Sequence, residues 1–130
     1  MTSVLDVLQN APDFIGGKGC TEDAIRMAEQ ALGLSFAPDY RAYLFTFGLA
    51  CFDGHELTGI CKTPRLNVTD VTRAERKYFP DASEWYVVEQ TNIDGIVIWQ
   101  CPTGEIYQTA PGVPTRKLCH SLTAYIQGRF

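Results

Sequence analysis

The sequence predicts an α+β fold in which N-terminal helices and a C-terminal helix pack on one side of an antiparallel β-sheet. The chain has 130 residues, of which 45% are hydrophobic, so it is long and apolar enough for one compact core. Helical periodicity dominates its first third, and β-rich runs separated by short turns follow. Strands joined by short turns are antiparallel, although a mixed sheet is the alternative. Since no linker or internal repeat interrupts the chain, residues 1–130 are predicted to form a single domain.

Three helices are predicted in the N-terminal third of the chain. The first covers residues 3–9, with Ser3 as its N-cap. The second begins after the N-cap residue Thr21 and ends at Gly33, because glycine readily adopts the left-handed conformation that closes a helix. The third covers residues 38–48 and begins with a proline, which is favoured in a first helical turn. Its core face, read from the helical spacing, consists of Tyr40, Tyr43, Leu44 and Phe47.

A glycine-rich segment over residues 16–19 lies between the first two helices. A phosphate-binding loop would need a lysine followed by serine or threonine, but Lys18 is followed by Gly19. No strong strand precedes the segment either. We therefore expect a flexible connector here and not a nucleotide site.

The middle of the chain is predicted to contain a strand and a helix. Residues 55–61 alternate weakly between polar and apolar side chains, which predicts a strand that Pro64 closes. Residues 71–79 carry apolar side chains among several charged ones and predict a short surface helix. Asp70 is placed to cap this helix, and Pro80 ends it.

Three further strands and a last helix complete the predicted fold. Residues 85–90 and 95–100 are β-rich and flank a turn that contains asparagine, aspartate and glycine, so they predict a hairpin. Residues 105–109 are predicted to form the next strand. Residues 111–114 contain two prolines and are expected to form a loop, and Ser121 is expected to cap the last helix.

The distribution of charge restricts the class of ligand. The net charge is −4, although the last twenty residues contain three basic residues and no acidic one. An acidic body disfavours direct binding of nucleic acid, because phosphate repulsion opposes it, and it suits a basic protein partner. No apolar run reaches the about 20 residues needed to span a bilayer. No secretory signal is visible at the N-terminus, so we expect a cytoplasmic protein that does not bind membranes.

The cysteine and histidine residues do not predict a cofactor, a metal site or a catalytic centre. The five cysteines include no CxxC pair and are expected to be reduced thiols, and the adjacent Cys119 and His120 are poorly spaced to chelate a metal. Cys51 and His55 are the best pair for a cysteine hydrolase. Because no helix N-terminus is predicted to activate the thiol, we expect a protein that is not an enzyme.

Several of these segments together resemble the SMI1/KNR4 (SUKH) superfamily. The resemblance covers nearly the whole chain after residue 20 and includes an acidic residue, Glu29, near the end of the second helix. The first matching motifs are Leu32-Gly33-Leu34, Pro38-Asp39-Tyr40 and Gly54-His55-Glu56-Leu57-Thr58-Gly59. The later ones are the hairpin segment 94–99, the strand segment 104–107 and the helix segment 121–126.

The resemblance implies an α+β domain that serves mostly as a bacterial immunity protein. Such a protein binds a cognate polymorphic toxin, here expected to be a nuclease with a basic surface, and neutralises it by occlusion. A non-catalytic regulatory or scaffold module is the alternative that the resemblance leaves open. The aromatic residues of the predicted strands also leave open a carbohydrate- or peptide-binding scaffold.

Six residues are predicted to contact the partner. All six lie at predicted strand ends or in turns, where side chains are expected to face solvent. Acidic side chains would meet a cationic toxin cleft, and one aromatic side chain would act as an anchor. The residues are Asp53, Glu56, Glu89, Asp94 and Glu105, with Trp85 as the anchor.

Overall fold

The structure is a computed structural model that describes residues 3–130. This part of the chain contains the α-helices Val4–Gln9 (α1), Glu22–Leu32 (α2), Pro38–Thr46 (α3), Val68–Arg76 (α4) and Leu122–Ile126 (α5). Its strands are Ile15–Gly16 (β1), Ala50–Phe52 (β2), His55–Glu56 (β3), Tyr86–Gln90 (β4), Val97–Gln100 (β5), Ile106–Ala110 (β6) and Val113–Cys119 (β7). A 3-10 turn covers Pro80–Ala82. None of the helices described is long and apolar enough to cross a bilayer.

The strands form two antiparallel sheets, which confirms the predicted α+β class. The smaller sheet has the order β1-β2-β3, and the larger one has the order β4-β5-β6-β7. The segment after β3 joins them, because Leu57 forms an antiparallel bridge with Glu89. Next to this bridge, the Thr58 N–H donates to the Val88 carbonyl at 2.9 Å. The single predicted sheet is therefore two sheets that meet along β4.

The N-terminal helices α1, α2 and α3 and the C-terminal helix α5 pack on one face of the larger sheet, as predicted, whereas α4 and the 3-10 turn cover the other face. Neighbouring residues of β4 contribute to different clusters, since Tyr86 belongs to the main core with α1, α2, α3 and α5, whereas Val87 belongs to a smaller cluster. In the smaller cluster, Val71 of α4 and Ala82 of the 3-10 turn accompany Val87 and Trp99. Strand alternation thus supplies apolar side chains to both faces.

The N-terminal helices form where the local signals predict them. The Ser3 hydroxyl accepts the Asp6 N–H at 3.2 Å, and the Thr21 hydroxyl accepts the Ala24 N–H at 3.1 Å. Gly33 follows α2 with φ 68°. The four residues predicted to form the core face of the third helix, Tyr40, Tyr43, Leu44 and Phe47, are all buried.

The glycine-rich segment is closely packed, and the prediction of a flexible connector was wrong. Gly16 pairs with Ala50 in the smaller sheet. A Cβ on Gly17 would lie 2.6 Å from the Phe47 carbonyl oxygen, and one on Gly19 would lie 2.2 Å from the Phe45 carbonyl oxygen. Glycine is therefore required here because backbone approaches backbone, a tertiary constraint that turn statistics do not reveal.

Two further predictions differ from the structure in their boundaries. The strand predicted over residues 55–61 is only two residues long, and single bridges continue it. The helix predicted over residues 71–79 begins at Val68, so Asp70 lies in its first turn and accepts from the Asn67 side-chain amide at 2.8 Å. Asn67 occupies the N-cap position of this helix. The added residues 68–70 are polar or β-branched, so they show no helical spacing of apolar side chains in the sequence.

The predicted loop over residues 111–114 is a hairpin turn that leads into an unpredicted strand. Ala110 pairs with Val113 across this turn, and β7 then follows β6 as the outer strand of the larger sheet. Most of β7 is exposed, and it contains Pro114, Arg116 and Lys117. Proline and cationic residues are typical of edge strands, and this composition lacks the alternation that marks a half-buried strand.

A polar network ties α3, the larger sheet and α5 together. The Asp39 carboxylate accepts the Gln100 side-chain amide at 2.9 Å with one oxygen and the Leu122 N–H at 2.8 Å with the other. The Gln100 carbonyl oxygen accepts the Tyr86 hydroxyl at 2.7 Å, and this hydroxyl accepts the Ala37 N–H at 2.9 Å. Because burial raises the pKa of Tyr86, its hydroxyl keeps the proton that it donates.

Candidate partner-binding site

A cleft of about 540 Å³ lies between α1, the β2–β3 hairpin and the C-terminal segment. Asp6 and Asn10 line it from the first side, Asp53 and His55 from the second, and Tyr125 from the third. We call it the His55 cleft. The three walls are distant in sequence, and the packing of α1 and α5 against the same core brings them together.

The charged groups that line the His55 cleft are acidic. Asp6 lies in the first turn of α1, and Asp53 lies in the β2–β3 turn with φ 46°, next to Gly54 with φ 80°. Both carboxylates are exposed, and among residues 3–130 neither has an ion-pair partner. No lysine or arginine is among the described residues that line the cleft. The cleft therefore has an excess of acidic groups, and residues 3–130 supply no lysine or arginine as their counterion.

A buried carboxylate fixes the imidazole at the centre of the cleft. Glu89 is 3% exposed, and its carboxylate accepts from His55 Nδ1 at 2.9 Å and from the Tyr125 hydroxyl. Since an ionised carboxylate can only accept, the proton of this bond lies on Nδ1 of His55, and in the neutral form of the imidazole Nε2 is then an acceptor. Burial and the nearby Glu89 carboxylate raise the pKa of Tyr125, so its hydroxyl stays protonated.

Aromatic rings form part of the cleft wall. Phe52 stacks on the His55 ring with centroids 5.0 Å apart, and Phe130 stacks on the Tyr125 ring with centroids 5.7 Å apart. Phe130 is 63% exposed, so a face of its ring is open to a ligand. Aromatic faces attract cations, and carboxylate oxygens and an imidazole nitrogen accept hydrogen bonds. The cleft therefore suits a lysine or arginine side chain.

Two of the six predicted contact residues lie at this cleft, at different depths. Asp53 lines the cleft and is exposed, as expected. Glu89 lies beneath the cleft, and the expectation that it faces solvent was wrong. The register of β4 shifts between Val87 and Glu89, and this bulge turns Glu89 to the same side as Val88, toward the main core. A bulge cannot be read from simple alternation.

The other four predicted contact residues do not join this cleft. Glu56 makes a bidentate ion pair with Arg65 at 3.0 and 3.2 Å and lines a different cavity. Trp85 stacks on Tyr107 with centroids 4.1 Å apart, so half of its ring surface is covered. Asp94 precedes β5 and Glu105 follows it, which places them toward opposite ends of the larger sheet. The six residues therefore do not form one continuous surface.

Glu105 is held by its own turn, and this predicts an unusual titration. Its carboxylate accepts from the Cys101 thiol at 2.8 Å and from the Thr103 hydroxyl, and these bonds lower its pKa to about 2. A lowered pKa in the folded state stabilises the fold above the ordinary carboxyl pKa, and this contribution is lost as the pH falls toward the lowered value. We expect Thr103→Val to raise the NMR titration midpoint of Glu105, whereas Thr103→Ser should keep it low. An unchanged midpoint in Thr103→Val would contradict this assignment.

The thiol and imidazole groups considered for catalysis are not brought together. Cys51 pairs with Glu56, and Phe52 pairs with His55, so Cys51 and His55 project from opposite faces of the hairpin. Cys51 lines a separate cavity of about 240 Å³. Cys119 is buried while the adjacent His120 is exposed. No cluster of three or more metal-ligating side chains is found within residues 3–130.

The residues that carry the family motifs have structural roles in this chain. The Glu29 carboxylate accepts the Phe36 N–H at 2.8 Å and thereby fixes the turn between α2 and α3. Asp39 organises the polar network described above. The Thr58 hydroxyl donates to the Val87 carbonyl at 2.7 Å, and Gly59 touches the backbone of Gly48. The motifs therefore specify how the helices and the two sheets meet.

Comparison with known proteins identifies the family. A family model described as SMI1-KNR4 cell-wall (SUKH_5) matches residues 1–127. A search of curated proteins finds no match. The match covers nearly the whole chain, includes all of the motifs described above and confirms the resemblance. The chain belongs to the SMI1/KNR4 (SUKH) family.

Proposed function

We propose that this protein is an immunity protein that binds a cognate protein toxin and neutralises it by covering its functional surface. Membership of the SMI1/KNR4 family supports an immunity-protein-type domain. The observation that carries the proposal is the His55 cleft, because its acidic lining groups have no ion-pair partner in the described part of the chain. A nuclease toxin would offer the matching chemistry, since enzymes that bind nucleic acid present cationic surfaces to the phosphates.

A basic side chain of the toxin enters the His55 cleft in this proposal. An arginine would donate several hydrogen bonds at once, to the carboxylates of Asp6 and Asp53 and to Nε2 of His55. The open face of Phe130 would lie against its guanidinium group. Filling the cleft would bury the charges of both partners together, and such pairs contribute strongly when their hydrogen bonds are complete.

The proposed inhibition requires no chemistry by this chain. Cys51 and His55 face opposite sides of their hairpin, which argues against a thiol–imidazole pair. Burial raises the pKa values of the Cys20 and Cys119 thiols, which disfavours the reactive thiolate. The proposal therefore needs only binding by this chain.

The proposal predicts that two carboxylates are needed for binding and for protection. The neighbouring genes are first sequenced, and a toxin-like domain found there is the partner to use in a binding assay and in a growth-protection assay. The double variant Asp6→Asn and Asp53→Asn should weaken binding by about 2 kcal/mol, which is about thirtyfold in the dissociation constant. Asparagine tolerates the left-handed conformation of Asp53, so the turn is preserved.

Asp94→Asn is the matched control, because Asp94 is another turn aspartate with positive φ, 54°, outside the cleft. It should change binding by less than about 0.5 kcal/mol. If the toxin binds and the double variant protects as well as the wild type, the His55 cleft is not the interface. Failure of the wild-type chain to bind and to protect would contradict the immunity function itself.

A regulatory or scaffold role is the second candidate. The description of the matching family model includes the cell wall, which favours a role outside toxin inhibition. Purification of the chain with its partners from its native cells distinguishes the two roles. A toxin that is released by the Asp6→Asn and Asp53→Asn double variant supports immunity. A cell-wall or signalling protein that is retained by that variant supports the scaffold role.

A further inference from the structure

A second concave surface lies on the opposite face of the larger sheet from the His55 cleft. It has a volume of about 710 Å³ and runs between the end of α4 with the 3-10 turn and the β6–β7 hairpin. Thr109 lies at its base and accepts the Trp99 indole N–H at 2.8 Å, so the groove belongs to the side of the smaller hydrophobic cluster. We call it the Tyr78 groove.

The walls of the Tyr78 groove are mostly apolar. Tyr78 is 74% exposed at one wall, and Val113 is 59% exposed at the other. Between them the lining consists mainly of proline, aromatic and alanine residues. These residues are Phe79, Pro80, Ala82, Ala110, Pro111 and Pro114. A groove with large exposed hydrophobic side chains on both walls is typical of an interaction site.

The charged side chains that line the groove are both acidic. They are Glu75 and Asp81, and no basic side chain is among the described lining residues. Burial raises the pKa of the Glu75 carboxyl, and within residues 3–130 this carboxylate has no ion-pair partner. A cation placed beside Glu75 would therefore supply the counterion that residues 3–130 do not.

The outer strand β7 is poorly suited to pair with the backbone of an occupant. β7 shifts register twice against β6, and Pro114 provides no N–H. Bulges, proline and cationic residues all oppose the addition of a further strand at this edge. An occupant would therefore be held by its side chains, in the way that aromatic-lined grooves hold extended peptides.

We propose that the Tyr78 groove binds an extended peptide segment of a partner protein in which apolar residues flank a lysine or arginine. The cation lies beside Glu75, and the apolar residues pack between Tyr78 and Val113. This site lies apart from the His55 cleft, and the proposal does not depend on the immunity function. The two surfaces allow the chain to hold two partners at once.

Selection from a random peptide library tests the proposal on the full chain. Peptides of about seven residues displayed on phage are selected on wild-type protein, and the bound population is sequenced. We expect enrichment of lysine or arginine next to proline and other apolar residues. The absence of enrichment, or enrichment of acidic peptides, would overturn the proposal.

Variants then locate the binding site of the best selected peptide. Tyr78→Ser combined with Val113→Ser should weaken its binding by about tenfold or more, since both apolar walls are lost. Glu75→Gln should weaken it by a smaller factor. Met27→Ser is the matched control, because Met27 is 69% exposed on α2 and does not line the groove. Equal binding to the wild type and to the Tyr78→Ser and Val113→Ser variant would place the peptide elsewhere and contradict the proposal.

Two further measurements separate this proposal from a structural role and from self-association. Peptide binding should lower the NMR titration midpoint of Glu75, because the incoming cation favours the carboxylate. An unchanged midpoint would count against a cation at this position. Analytical ultracentrifugation of the wild-type chain should show a monomer. A dimer that the Tyr78→Ser variant dissociates would show that a second copy of the chain occupies the groove, and it would contradict the proposal. All of the groove substitutions are checked by thermal unfolding.

Discussion

Replacing Gly59 with alanine is expected to destabilise the fold by about 3 kcal/mol or more. A Cβ at this position would lie 1.8 Å from the Gly48 carbonyl oxygen and 3.1 Å from Cα of Leu49. These are backbone atoms, so no side chain can rotate away to make room. The Gly59 N–H donates to the Leu66 carbonyl at 2.9 Å, and its own carbonyl accepts the Val68 N–H at 2.8 Å. The segment is thus fixed on both sides, and relief of the clash would break these bonds.

Urea unfolding of the purified variants measures this effect. Gly112→Ala is the control, because a Cβ there meets nothing within 4 Å and only the positive φ of 72° opposes it. That conformational cost is about 1–2 kcal/mol for an alanine. A Gly59→Ala variant that loses less free energy of unfolding than Gly112→Ala would show that the close approach to Gly48 can relax.

The parts of the fold that the sequence predicts well are those that depend on neighbouring residues. Thr21 and Gly33 mark the two ends of α2 by side-chain capping and by a left-handed backbone, both of which are local properties. The core face of α3 follows from helical spacing alone. The β4–β5 hairpin follows from two β-rich runs around a turn that contains Asn92 and Asp94, both with positive φ.

The parts that it predicts poorly are specified by contacts between distant segments. β1 and β3 are two residues long, so they have no periodicity, and pairing with β2 alone makes them strands. Gly17 and Gly19 resemble a flexible linker in sequence, whereas the structure packs them against the end of α3. The exposed composition of β7 is typical of an edge strand and resembles a loop.

In the candidate site too, local features are predictable from the sequence and contacts between distant segments are not. Asp53 was predicted because turn residues are exposed, which is a local argument. Asp6, His55 and Tyr125 reach one cleft only through tertiary packing, and the sequence carries no spacing that unites them. The available signal is the position of His55 within a family motif, directly after the turn-forming pair Asp53-Gly54. Its partner Glu89 was misplaced because a bulge reverses the alternation of β4.

Replacing Asp39 with asparagine is expected to lower the free energy of unfolding by about 2 kcal/mol, although the two side chains have nearly the same shape. Both Asp39 oxygens accept hydrogen bonds, one from the Gln100 side-chain amide and one from the Leu122 N–H. Asparagine has only one oxygen, so its NH2 group must face one of these donors. A donor opposite a donor leaves two polar groups unpaired in a partly buried site.

The same substitution at Asp70 is the control for Asp39. Asp70 accepts a hydrogen bond from Asn67 on the protein surface, so Asp70→Asn should change the free energy of unfolding by less than about 0.5 kcal/mol. A double-mutant cycle of Asp39→Asn with Tyr86→Phe should give a coupling energy of about 0.5 kcal/mol or more, because Gln100 links both residues in one network. Equal effects of the asparagine substitutions, or strict additivity in the cycle, would show that Asp39 does not organise the junction between α3, the sheet and α5.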